Sequence, residues 1–184
     1  MSELDEEKKF YERFACLHND PQLMRVLERY GIAAFRRSSV LEGFETFIKA
    51  QQFCGKTCVE IGTLKGLTAI ILARYFERVV TVDIVDDPQK REIADMLGIT
   101  NIAFVNVRHN AEKAEVIEAV QFDAAFCDGN HHDDTESDFA LVKRCGRVLM
   151  HEHWGAQPTV VSLVSRLRGV RTSGKWALWL AAPT

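Results

Sequence analysis

Between Thr57 and Ile84 the chain reads TCVEIGTLKGLTAIILARYFERVVTVDI: an apolar strand-like run, a turn with glycines at 62 and 66, a helix-like run, and a second strand-like run that closes on Asp83. A strand that leads through a helix into another strand pairs with it in parallel, since an antiparallel return needs only a tight turn. The same alternation continues downstream. Strands are expected near 57–61, 79–83, 102–107, 122–128 and 147–151, with helices over Leu67 to Phe76, Pro88 to Leu97 (stopped by Gly98), Ala111 to Val120 (capped by Asn110) and Asp134 to Arg144. Stacked βαβ units of this kind build an α/β protein with helices on both faces of a mostly parallel sheet.

The turn itself narrows the ligand. Gly62 and Gly66 let the backbone bend sharply and approach a bound molecule, and Asp83 follows at about the 20-residue distance where a carboxylate holds a ribose hydroxyl pair. A dinucleotide turn would read G-x-G-x-x-G, bringing a pyrophosphate to a helix N-terminus. Here Leu64 and Lys65 stand in that stretch, and Glu60 precedes Gly62 by two residues. One tight glycine after an acid better suits a ligand with an ammonium and a ribose but no diphosphate.

On Glu60-x-Gly62-x-x-x-Gly66 and Asp83 the chain resembles the class I S-adenosylmethionine-dependent methyltransferases. The resemblance implies a three-layer αβα sandwich around a seven-stranded, mostly parallel, Rossmann-like sheet, closed by a C-terminal antiparallel hairpin. It also implies S-adenosylmethionine as cofactor, held by Glu60, Gly62, Gly66 and Asp83; Thr63, Ile84, Arg108 and Asp128 are further candidate contacts. The hairpin has its own signal. Pro158 opens an amphipathic run (Val160, Val161, Leu163, Val164, Leu167), Val170 to Thr172 turns at Ser173-Gly174, and KWALWLAA is apolar on both faces, which makes it a central strand and leaves the Arg171 strand at the edge.

Residues 3–53 read as helices, with stripes at Phe10, Phe14 and Leu17, at Leu23, Val26, Leu27 and Tyr30, and at Leu41, Phe44, Phe47 and Ile48. Ser39-x-x-Glu42 has the form of a capping box for the third. We expect residues 1–54 to be a helical segment packed on a methyltransferase-like core of residues 55–184, one domain overall, with a homodimer contact as a further role. Lys and Arg number 23 against 26 Asp and Glu, a net charge of −3, which provides no global field to gather nucleic acid or an anionic membrane. The start MSELDEEKKF lacks the apolar stretch of a leader, no run approaches a membrane span, and the scattered Cys16, Cys54, Cys58, Cys127 and Cys145 form no C-x-x-C pair. A cytoplasmic protein is expected.

Ligands in open α/β sheets lie beyond the carboxyl ends of the strands. Those ends are polar here: Glu60, Asp83, Arg108-His109-Asn110, CDGNHHDD and MHEHW. A group of small-molecule methyltransferases carries Asp-Gly-x-His after strand four and His-Asp after strand five; this chain has Asp128-Gly129-Asn130-His131 and His151-Glu152. It has no Asn/Asp-Pro-Pro-aromatic turn there, which points away from methylation of DNA-base amines and toward oxygen on a small acceptor. Methyl transfer from a sulfonium needs an in-line nucleophile, and a hydroxyl acceptor needs a base. His131 or His151 would supply it, with Asp128 lining the transfer site. A divalent metal held by Asp128, Glu152 and His131 is the alternative, though no His-x-x-x-His and no Cys cluster supports it.

Several residues have plainer roles. Asp133 or Asp134 is placed to cap the next helix, answered by Glu136 or Ser137, and Asp86 and Asp87 to begin another. Arg108 and His109 either contact adenine or solvate a loop. Arg36-Arg37 is too short a basic run for nucleic acid, and Trp154 walls an acceptor pocket or packs at a strand exit. Two other functions share the βαβ start: a nicotinamide-dinucleotide oxidoreductase, and a non-catalytic cofactor-binding scaffold or partner subunit.

Overall fold

Strand β1 (Gly55–Ile61) is buried along its last four residues, which face both sides of the sheet, and this is why TCVEI lacks the polar alternation of a half-exposed strand. A computed structural model describes residues 20–30, 40–130, 133–151 and 157–182. In it β1 pairs in parallel with β2 (Phe76–Asp83) and β4 (Ala124–Cys127); β2 pairs with β3 (Ile102–Asn106) and β4 with β5 (Arg147–Met150), again in parallel. Strand β7 (Trp176–Leu180) runs antiparallel between β5 and the edge strand β6 (Val170–Ser173), giving the order β3-β2-β1-β4-β5-β7-β6. The expected seven-stranded sheet with its terminal hairpin is present.

Alternation along the strands divides the apolar residues into two cores. On one face, Cys58, Val79, Phe126, Leu149, Trp176 and Leu178 meet helices α1 (Pro21–Arg29), α2 (Val40–Ala50), α3 (Leu67–Tyr75) and α4 (Gln89–Met96). On the other, Val59, Ile61, Val82, Cys127, Val148 and Ala177 meet α5 (Asn110–Glu118), α6 (Thr135–Val142) and α7 (Pro158–Arg166). Residues of two predicted N-terminal stripes, Leu23, Val26 and Leu27, then Phe44, Phe47 and Ile48, all lie in the first core. Tyr30 donates to Glu92 at 2.7 Å and Tyr75 to Glu45 at 2.9 Å, tying α1 to α4 and α3 to α2. Phe10, Phe14, Leu17, Cys16, Arg36-Arg37, Ser39 and the side chains of Leu41 and Glu42 lie outside the described residues.

Five local expectations are corrected. Phe76 is extended (φ −121°, ψ 146°) and pairs with Gly55, so β2 follows α3 without a loop. Strand β4 begins at Ala124, because Asp123 turns its carboxylate onto the amides of Lys56 and Thr57. His109, not Asn110, caps α5: its Nδ1 accepts from the Glu112 amide at 3.2 Å. Asp134 precedes α6 but makes no side-chain cap; its carboxylate accepts from Asn110 Nδ2 at 3.0 Å, while Ser137 Oγ donates to the Asp134 carbonyl. The hairpin turns at Gly174 and Lys175, one residue later than expected.

Candidate functional site

The carboxyl ends of β1, β2 and β4 and the start of the β5 exit enclose a cavity of about 780 Å³. Gly62 makes this convergence possible. Its φ is +93°, and a Cβ there would lie 2.2 Å from the Asp128 carbonyl oxygen, so only glycine lets the β1 turn pass so close to the β4 exit. Gly66 serves packing instead: at φ +75° it starts α3, and a Cβ would stand 3.0 Å from Lys90 Cβ on α4. It does not line the cavity.

Asp83 organises the turn. Its Oδ2 accepts from the amides of Thr63 and Leu64, each at 2.7 Å, and its Oδ1 from the Val85 amide at 2.9 Å. Oδ2 is thus filled by its two amides, while Oδ1 keeps lone-pair capacity for a ligand hydroxyl. Around the mouth, Leu64, Ile84 and Val85 are about half exposed and form an apolar lip suited to the face of a flat ring. Leu64 holds φ +43°, a conformation uncommon for a residue with a side chain.

Glu60 behaves differently from the other acids. It is fully buried, and Thr81 donates to its Oε2 at 2.5 Å within a chain that continues to the Thr63 hydroxyl. Its Oε1 has no hydrogen-bond partner among the described residues, and Glu60 does not line the cavity wall. Burial pushes its carboxyl up to about 8, with the nearby Thr68 and Thr81 hydroxyls opposing the shift and the charges of Asp128 and Asp83 adding to it.

At the β4 and β5 exits, Asp128 Oδ1 and His151 Nδ1 are 2.8 Å apart. The His151 ring stacks on Trp176 with centroids 4.3 Å apart and planes 19° off parallel, and Trp176 packs on Phe44 of α2. On the opposite face, Lys113 of α5 pairs with Asp138 of α6, and both line the cavity. Arg108 does not: its side chain is 83% exposed and pairs with Glu112 at 3.2 Å.

Of the predicted site residues, Gly62, Thr63, Asp83, Ile84, Asp128 and His151 converge on one cavity, while Glu60, Gly66 and Arg108 stand behind or beside it. His131, His132, Glu152, His153 and Trp154 lie outside the described residues. Among those described, no cluster of three or more His, Cys, Asp or Glu is arranged to hold a metal, and no helix is long and apolar enough to cross a membrane. Sequence reasoning missed Lys113, Asp138, Trp176 and Val85. Lys113 sits in the charge-rich run AEKAE and reads as surface; only the packing of α5 against α6 buries it.

The fold is a Rossmann-like α/β fold that solved O-methyltransferases share. No protein-family model and no curated protein matches the chain; the likeness is to solved structures. An O-methyltransferase from Bacillus cereus in complex with SAH superposes with a TM-score of 0.65 at 16% identity, covering 96% of this chain and 97% of that one. The O-methyltransferase TomG from Streptomyces achromogenes, involved in tomaymycin synthesis and solved with SAM, gives 0.65 at 16% identity over 100% of both chains.

Proposed function

We propose that the chain is an S-adenosylmethionine-dependent methyltransferase that acts on a small-molecule acceptor, at oxygen. The observation that carries this is the cavity at the β1, β2 and β4 ends, where the Gly62 turn, the Asp83 carboxylate and the Asp128–His151 pair face one space. Its volume suits a ligand of nucleoside size. Two solved O-methyltransferases of the same fold, bound to SAH and SAM, add support. When bound, the cofactor would supply an electrophilic methyl on a sulfonium.

The chain's own residues have separable tasks in this reading. Asp83 accepts from a ribose hydroxyl at Oδ1 while holding the turn amides. Ile84 and its apolar neighbours cover the base, and Gly62 and Thr63 let backbone approach the ligand. Glu60 lies one layer below, where the approach of a cationic group would favour its ionised form. Asp128 accepts a hydrogen bond from His151 Nδ1–H, which leaves Nε2 as the basic nitrogen for an acceptor hydroxyl, and Trp176 fixes the plane of the ring. His131, the other candidate base, follows directly on this turn. The nicotinamide reading is disfavoured, since Leu64 and its side chain occupy the mouth where a dinucleotide turn carries glycine.

The test is isothermal titration with S-adenosylmethionine and S-adenosylhomocysteine, before and after chelator treatment and with magnesium or zinc restored. Saturable binding that Asp83→Ala abolishes is expected; no binding to wild type sinks the proposal, and binding that needs the ion brings back a metal set of Asp128, Glu152 and His131. Acceptor screening then follows, with His151→Ala and His131→Ala compared for turnover.

A further inference from the structure

Two polar groups in the cavity wall keep hydrogen-bonding capacity that the described residues do not meet, and they are of opposite kind. Lys113 is the donor. Its side chain is 6% exposed, and its ammonium, with three donors, engages one partner among the described residues, Asp138. Lys90, buried on α4, makes the contrast: it reaches both the Val85 carbonyl at 3.2 Å and Asp86 at 3.5 Å, and it does not line the cavity. Gln157 is the acceptor. It stands at the N-cap of α7 in an extended conformation (φ −126°, ψ 99°), yet its side chain makes no cap. Its Oε1 is buried with no hydrogen-bond partner among the described residues, and the residue lines the cavity. A buried polar atom left in this state is costly unless a ligand meets it.

Their placement defines what they would meet. A Cβ on Gly129 would stand 3.0 Å from Asp138 Oδ2, so the Lys113–Asp138 pair rests against the β4 exit, beside Asp128 and the reacting end. Helix α6 packs against both α5 and α7, and the Thr135 and Thr159 hydroxyls at the starts of α6 and α7 are 3.3 Å apart. Lys113 of α5 and Gln157 before α7 therefore reach the cavity from the two sides of α6. A ligand with its acceptor and its donor on different atoms suits that arrangement, and a carboxamide has this pattern: its carbonyl accepts and its N–H donates. His151 leaves β5, the neighbour of β4, so it stands across a strand spacing of about 4.8 Å from the pair. Charge selects further. The wall carries the carboxylates of Asp83, Asp128, Asp134 and Asp138 against the ammoniums of Lys65 and Lys113, an excess of acid that repels an anionic ligand. An amine in place of the amide would be cationic and would offer Lys113 no acceptor.

We propose that the acceptor is a neutral hydroxy carboxamide, whose carbonyl accepts from Lys113 and whose N–H donates to Gln157 while its hydroxyl faces His151. This names the substrate class of the same site and rests on the methyltransferase reading above. The test is calorimetric titration of protein saturated with S-adenosylhomocysteine, using 3-hydroxybenzamide, in which the ring holds hydroxyl and amide apart. Three relatives each lack part of the pattern: methyl 3-hydroxybenzoate has the carbonyl but no N–H, 3-hydroxybenzylamine has no carbonyl, and 3-hydroxybenzoate is an anion. The amide should bind about fivefold or more tightly than the ester, and about tenfold or more tightly than the amine and the carboxylate. Gln157→Leu should reduce the amide to the affinity of the ester. Lys113→Met combined with Asp138→Asn, which leaves no unpaired charge, should weaken amide and ester alike by about tenfold. With S-adenosylhomocysteine bound, absence of amide binding, or equal binding of amide and relatives, overturns this inference alone. A preference for amide over ester that survives in Gln157→Leu does the same. Wild type that binds no S-adenosylhomocysteine overturns the methyltransferase reading and this inference together.

Discussion

At the amino-terminal rim of the sheet, Asp123 accepts from the Lys56 and Thr57 amides, Arg147 donates to the carbonyls of Cys54 and Gln52, and Arg144 to those of Ile117 and Val120. At the carboxyl rim, Asp83 also binds backbone amides, but Glu60 Oε1 has no partner among the described residues and Lys113 keeps unengaged donors. The amino rim borders a cavity of about 1040 Å³, wider than the 780 Å³ at the other end. Volume therefore does not locate the site. Unmet hydrogen-bonding capacity beside an apolar lip marks the carboxyl rim as the candidate site, because among the described residues the chain leaves polar groups unsatisfied there that it satisfies at the other rim.

The two rims can be set against each other by substitution. The largest difference is expected between Gly62→Ala and Gly55→Ala. A Cβ at 62 meets the Asp128 backbone at 2.2 Å with φ +93°, whereas at 55 it meets the Asp123 carboxylate at 2.0 Å, a side chain that can swing away. Chemical denaturation should show a loss of about 4 kcal/mol or more for Gly62→Ala and about 1–2 for Gly55→Ala. Similar losses would mean that the β1 turn has room to relax.

Glu60 gives the next effect. Its folded carboxyl is raised from 4.5 to about 8, so between those values the folded chain holds a proton that the unfolded chain has released. Stability from this group is full below about pH 4.5 and falls as pH rises toward 8, with a limiting slope of about 1.4 kcal/mol per pH unit. Glu60→Gln should flatten that decline in denaturation curves taken from pH 5 to 8. An unchanged slope would place the titration elsewhere.

The smallest and most discriminating pair is Asp123→Ala against Asp83→Ala. Each removes a carboxylate from two or more amides and should cost about 1–3 kcal/mol of stability. Calorimetric affinity for S-adenosylhomocysteine should fall only for Asp83→Ala. If both or neither lose affinity, the contrast between the rims fails.

Much of the fold was legible because strand and helix periods in TCVEI, LTAIILARY and TVD differ sharply, and because a both-faces-apolar KWALWL can only be central. The site was legible where a residue's place follows from being at a strand end: Gly62, Asp83, Asp128 and His151. It was not legible where the place depends on which way a side chain turns. Glu60 occupies the expected position in the motif, yet strand alternation directs it into the layer with Thr81, away from the cavity wall. Arg108 sits at the β3 exit, but Glu112 four residues on draws it along the helix.

The sequence by itself determined the order of elements, the parallel core with its terminal hairpin, and the need for glycine at 62, because these follow from local period and backbone sterics. Tertiary structure alone decided that Lys113 meets Asp138, that Trp176 lies under His151, and that one acid of the motif lines the cavity, partly exposed, while the other is fully buried. Those outcomes depend on contacts between segments far apart in the chain, and local pattern carries no record of the distance between them.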